Sequence, residues 1–126
     1  MLSVHTSKLQ EGGEKVEQLL NETMADKHML QMTCINAGEV YLMTLRKDGA
    51  DKAALVWKAL QQFPIHIIDV DLRFTFKAAS LKCKYWLSFA DAFAAVLSIT
   101  KKWTLITGDK EFESLVGETN FKVKYL

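Results

Sequence analysis

Proline occurs once and glycine six times in this chain of 126 residues, which excludes a proline-rich linker and a collagen-like repeat. Cysteine is equally sparse. Cys34 and Cys83 stand without a Cys-x-x-Cys partner, so both read as buried thiols in a reducing compartment. Neither sign of charge dominates: 16 Lys+Arg against 15 Asp+Glu leave a net charge of +1. That balance argues against a polybasic nucleic-acid binder and leaves room for a local basic patch. The longest purely apolar run, Ala92–Leu97, is far short of the ~20 residues that cross a bilayer. The opening MLSVHTSKLQEGGEK lacks the charged-then-apolar pattern of a secretory signal. The expectation is a cytoplasmic protein without membrane contact, in which Asn21-Glu22-Thr23 matches a glycosylation triplet by chance.

Several catalytic signatures are missing as well. There is no Gly-x-Ser-x-Gly elbow, no Gly-x-x-x-x-Gly-Lys loop and no Gly-x-Gly-x-x-Gly fingerprint. His5, His28 and His66 have no spacing that suggests zinc, and His66 reads as a packed or edge histidine within a strand. Met24, Met29, Met32, Met43, Trp57, Trp86 and Trp103 read as core or dimer-surface residues.

What remains is an ordinary globule, 49% hydrophobic and 25% charged, whose length suits one domain over residues 1–126. Folding a chain of this size buries roughly two-thirds of its surface, so the core needs no staple. Five segments read as strands: Met29–Ile35, Ile65–Val70, Trp103–Thr107, Phe121–Leu126 and, more weakly, Met1–Thr6. Helical patterns lie between them. One starts near Gly13 with Val16, Leu19 and Leu20; a second around Val40 to Leu45 ends at Gly49; the others are Ala53–Leu60, Leu72–Lys84, Ser88–Lys101 and Glu111–Val116. The Ser88–Lys101 pattern is apolar nearly all round and should be deeply buried. Strands alternating with helices imply an α/β fold with a mostly parallel sheet.

Three carboxylates occupy similar places in this alternation. Asn36-x-x-Glu39 and Ser88-x-x-Asp91 fit a capping box, and Asp109 fits an N-cap. Glu39 and Asp109 each begin a helix after a strand, which sets both at the carboxyl edge of the sheet, where open α/β folds place ligands. Asp91 sits among small apolar residues with no Arg or Lys within a turn, and a buried carboxylate needs a partner. Further carboxylates with a hard divalent cation would supply one, and such a cluster suits Mg²⁺ or Mn²⁺ and phosphodiester hydrolysis. Basic residues fall in small groups, Arg46/Lys47/Lys52, Lys82/Lys84, Lys101/Lys102 and Lys122/Lys124, as solvated element ends do. Beside a phosphodiesterase site some of them would line the RNA backbone.

The stretch Leu87-Ser88-Phe89-Ala90-Asp91-Ala92-Phe93-Ala94-Ala95, followed by Leu105-Ile106-Thr107-Gly108-Asp109-Lys110-Glu111-Phe112, resembles a PIN domain, nearest to the VapC-type toxins of toxin–antitoxin pairs. Asn36-Ala37-Gly38-Glu39-Val40-Tyr41 is similar to that family's second acidic motif. The resemblance covers nearly the whole chain from about Gly12. It implies a PIN-like, Rossmann-like three-layer fold with a mostly parallel sheet of about five strands flanked by helices. It also implies a Mg²⁺- or Mn²⁺-dependent endoribonuclease, dimeric and silenced by an antitoxin protein, with RNA as substrate. Carried over by motif, Glu39, Asp91 and Asp109 are its catalytic and metal-binding acids. Glu111 falls where relatives place an additional acid, and Thr107 and Ser88 give hydrogen-bonding support.

One departure stands out. The family's first strand ends in an Asp that ligates metal, and no such Asp is present here. Aligned through Gly13-Glu14-Lys15-Val16, the chain starts just after that position; aligned through Val4-His5-Thr6-Ser7, His5 takes it. The central strand is therefore expected to be absent, altered or swapped from a partner chain. The functional alternative that follows is a catalytically impaired PIN-fold module that binds or assembles through a dimer surface or an antitoxin-type partner.

Overall fold

The computed structural model describes residues 2–4 and 30–125, with side chains described from residue 30 onward. The helix expected near Gly13, and His5, His28, Met24 and Met29, lie outside the described residues. In chain order the elements are β1 (Leu2–Val4), β2 (Leu30–Thr33), α1 (Cys34–Asp48), α2 (Ala50–Leu60), β3 (Ile65–Ile68), α3 (Leu72–Lys84), α4 (Phe89–Lys101), β4 (Thr104–Thr107), a 3₁₀ turn (Lys110–Leu115) and β5 (Lys122–Tyr125). Each expected strand is present within a residue or two of its bounds.

The strands form one sheet in the order β3-β2-β1-β4-β5, and every pairing is parallel. The central place is filled by this chain's own Leu2–Val4, which pairs with Leu30 and Gln31 on one side and with Thr104 to Ile106 on the other. Of the three alternatives for that strand, absence is thereby set aside. Central strands are buried on both faces: all of β2 and Leu105 to Thr107 of β4 are buried. On the outer strand β5, Lys122 and Lys124 are exposed, and charge on an edge opposes pairing with another chain. His66 is exposed on the opposite edge strand, β3.

Helix ends follow local chemistry. The α1 cap is Thr33, whose hydroxyl accepts from the Asn36 N–H; Asn36 itself lies inside the helix. The expected Asn36-x-x-Glu39 box is therefore displaced by one turn, because β2 runs straight into α1 and its last residue takes the cap. Gly49 closes α1 at φ 86, ψ 178, a conformation that essentially only glycine adopts. It also opens α2, so α1 and α2 form a hairpin around one glycine.

The expected burial of the fifth helical pattern holds, since Asp91 to Ser98 of α4 are all buried. Ala92, Ala94 and Ala95 let α4 lie close beneath the strands, and it packs against β1, β2 and β4. Leu87, Ala94, Ala95, Leu105, Phe112 and Leu115 form one core cluster, which clamps the 3₁₀ turn against α4. Ala78, Ala92, Phe93 and Val96 form another, which joins α3 to α4.

Candidate metal centre

The chain lays β1, β2 and β3 outward in one direction and then crosses back to place β4 and β5 on the other side of β1. Strand order thus reverses between β1 and β4. In open parallel sheets the crevice at that reversal, outside the carboxyl ends of the strands, is where ligands bind. β4 ends there at Thr107, and the chain turns through Gly108 to Asp109.

Two hydroxyls fix the acids at this edge. Ser88 caps α4, and its Oγ accepts from the Asp91 N–H at 3.1 Å. Thr107 Oγ1 accepts from the Asp109 N–H at 3.0 Å. Asp109 in turn caps the 3₁₀ turn, its Oδ1 accepting from the Glu111 N–H at 2.9 Å. As a result Asp91, Asp109 and Glu111 each present an oxygen within 4.8 Å of the other two. Asp91 is 3% exposed, Asp109 is half-buried and Glu111 is exposed, so the group grades from core to solvent. Carboxylates this close repel one another when ionised. An all-oxygen set of this kind fits a hard divalent ion such as Mg²⁺ or Mn²⁺, which both neutralises the repulsion and prefers these donors.

Glu39 lies half-buried in the second turn of α1 and is not a member of that group. Its helix is nonetheless tied to the site. Thr33 Oγ1 donates to Asn36 Oδ1, and Asn36 Nδ2 donates to the carbonyl of Ala90 at 2.9 Å. Ala90 immediately precedes Asp91, so the start of α1 holds the start of α4. Asn36 is 1% exposed, and its bond spans 54 residues of chain. No local sequence signal marks such a link.

Tyr125 also went unmarked. It is the last residue of β5 and stands in register with Thr107. Burial, followed by the nearby charges of Glu113 and Asp109, holds its phenol above the ordinary tyrosine range. The remaining shifted groups lie at the end of α3. Tyr85 Oη donates to Glu118 Oε1 at 2.6 Å and Lys84 Nζ lies 3.0 Å from the same oxygen. The Tyr85 and Lys84 hydrogen bonds hold the Glu118 carboxyl below its usual range, and their counterpart raises Lys84 and Tyr85.

The expectation that both cysteines are buried is corrected. Cys34 is half-buried and Cys83 exposed, both as free thiols: Cys34 opens α1 at the sheet edge and Cys83 lies on the outer face of α3. Of the two places expected for Trp86, core or surface, it takes the surface, 97% exposed, because its neighbours Tyr85 and Leu87 take the inward positions of the loop before α4.

Solved structures of similar fold share little sequence with this chain. VapBC2 from Rickettsia felis, bound to a DNA fragment from its promoter, superposes with a TM-score of 0.74 at 14% identity, covering 99% of this chain and 98% of that one. VapC20 from Mycobacterium tuberculosis, a sarcin–ricin loop cleaving toxin, gives 0.72 at 16% identity over 92% and 95%. A toxin–antitoxin complex from Klebsiella pneumoniae gives 0.66 at 18% identity over 95% and 93%. No curated protein matches. The PIN domain family model matches residues 4–118, a span that begins at the last residue of β1 and takes in Glu39, Asp91, Asp109 and Glu111. The chain belongs to the PIN domain family.

Proposed function

We propose that this protein is a metal-dependent endoribonuclease, the toxin of a toxin–antitoxin pair, and that it hydrolyses RNA phosphodiester bonds. The observation that carries this reading is the convergence of Asp91, Asp109 and Glu111 at the strand-order reversal of a PIN domain. Asp91, Asp109 and Glu39 are the catalytic and metal-binding acids, with Glu111 as an additional ligand. Mg²⁺ or Mn²⁺, when bound, supplies charge neutralisation at the phosphate and makes bound water more acidic. The protein's own part is positional. Ser88 and Thr107 hold Asp91 and Asp109 by their backbone N–H groups, and Asn36 sets α4 against α1. Burial of Asp91 keeps water from screening its charge.

Partners follow from the same reading. The similar structures include toxin–antitoxin complexes, and this chain has apolar surface for a protein partner, either an antitoxin or a second copy of itself. Leu72 and Phe76 of α3 are exposed and share a groove with Val96 and Ile99 of α4. Such a toxin acts in the cytoplasm; among the described residues no helix is long and apolar enough to cross a membrane.

The test is cleavage of a labelled RNA with Mn²⁺ or Mg²⁺. The expected result is metal-stimulated cleavage that chelator stops and Asp91→Asn abolishes. Cleavage indifferent to both treatments contradicts the reading. A second reading, an impaired binding or assembly module, is favoured by one observation: the residue after β1 is His5 rather than an acid. It requires negligible metal affinity with dimerisation or partner binding intact.

A further inference from the structure

The edge strand β5 carries an aromatic residue to the rim of the carboxylate group. Tyr125 stands in register with Thr107, and Thr107 is the residue whose hydroxyl holds Asp109. In a parallel pair, residues in register send their side chains to the same face of the sheet. Tyr125 and Thr107 therefore share a face, and both stand at the carboxyl edge. Burial first, and then the charges of Glu113 and Asp109, raise the phenol above its ordinary range. Even so, 38% of Tyr125 remains open to solvent. Its neighbour Lys124, directed to the opposite face, is exposed as well.

An exposed aromatic ring is a platform on which a base of single-stranded nucleic acid stacks. The acid-lined surroundings favour the ring over the hydroxyl as the contact. A neutral π-face tolerates neighbouring carboxylates, whereas an approaching phosphate is repelled by them. Resting on the ribonuclease reading, we propose that Tyr125 is a substrate-positioning residue, whose ring stacks on an RNA base beside the carboxylate group of Asp91, Asp109 and Glu111.

The experiment measures binding of a fluorescent single-stranded RNA of about ten nucleotides, a length within the usual site size. The Asp91→Asn protein is used without metal, so that binding is read apart from cleavage. Adding Tyr125→Ala is expected to weaken binding at least about fivefold, while Tyr125→Phe stays within about twofold. In protein that retains Asp91, the Tyr125→Ala effect should fall on KM more than on kcat. Thermal melting of each variant shows that it is folded. Equal affinity of Tyr125→Ala and its parent overturns the proposal, and so does a Tyr125→Phe loss as large as that of alanine. If the unsubstituted protein cleaves RNA and Tyr125→Ala changes nothing, this inference alone falls. If the unsubstituted protein neither binds nor cleaves RNA, the ribonuclease reading falls with it.

Discussion

Asn36 shows how one side chain can set the geometry of a site it does not enter. Its amide accepts from the buried Thr33 Oγ1 and donates to the carbonyl of half-buried Ala90. Replacing it with Ala takes this partner from both groups, which costs about 1–3 kcal/mol. The midpoint of urea unfolding should fall accordingly, and metal affinity should drop with it because Asp91 follows Ala90. The acids themselves were legible from sequence: Asp91 and Asp109 stand at helix starts, where hydroxyl and carboxylate residues advertise themselves through capping. Asn36 was legible only as a cap, since its real partner is remote in the chain. Tyr125 was hidden for a similar reason, because strand register, and not local pattern, brings it beside Thr107.

Among the elements, the 3₁₀ turn is short and depends on its anchors. Phe112 and Leu115 are both fully buried beneath it. Phe112→Ala should cost about 3–5 kcal/mol in unfolding free energy, as large-to-small core changes do. The same change should loosen the adjacent Glu111, detectable as weaker metal binding in a variant that still melts cooperatively. At the end of α3, the Lys84–Tyr85–Glu118 contact joins that helix to the segment before β5. The folded Glu118 carboxyl is lowered, so its contribution is present above the ordinary carboxylate range and disappears as pH falls through the lowered value. Lys84 and Tyr85 are raised, so theirs is present below their ordinary values and disappears as pH climbs through the raised ones. Glu118→Gln should therefore flatten the stability profile at both extremes, as followed by thermal melts across pH. The effect is small because the contact is exposed to solvent. Element types were readable in the chain because alternation of β-branched runs and 3.6-residue patterns is strong here. The caps were less so: Thr33 serves a strand and a helix at once, and sequence periodicity assigns it to only one.

For the molecule as a whole, the topology gives the site its place. β1 holds the centre of the sheet, and reversal of strand order beside it opens the crevice into which α4 and β4 deliver their acids. A near-zero net charge conceals this arrangement, in which acids gather at one edge while lysines occupy helix ends and β5. Calorimetric titration of the unsubstituted protein and of Asp91→Asn with Mn²⁺ tests directly whether the gathered acids form a metal centre. The unsubstituted protein is expected to bind, with at least about a tenfold loss in the variant, on the scale expected for a metal-site change. Failure of the unsubstituted protein to bind Mn²⁺, or equal affinity in the two proteins, would contradict it.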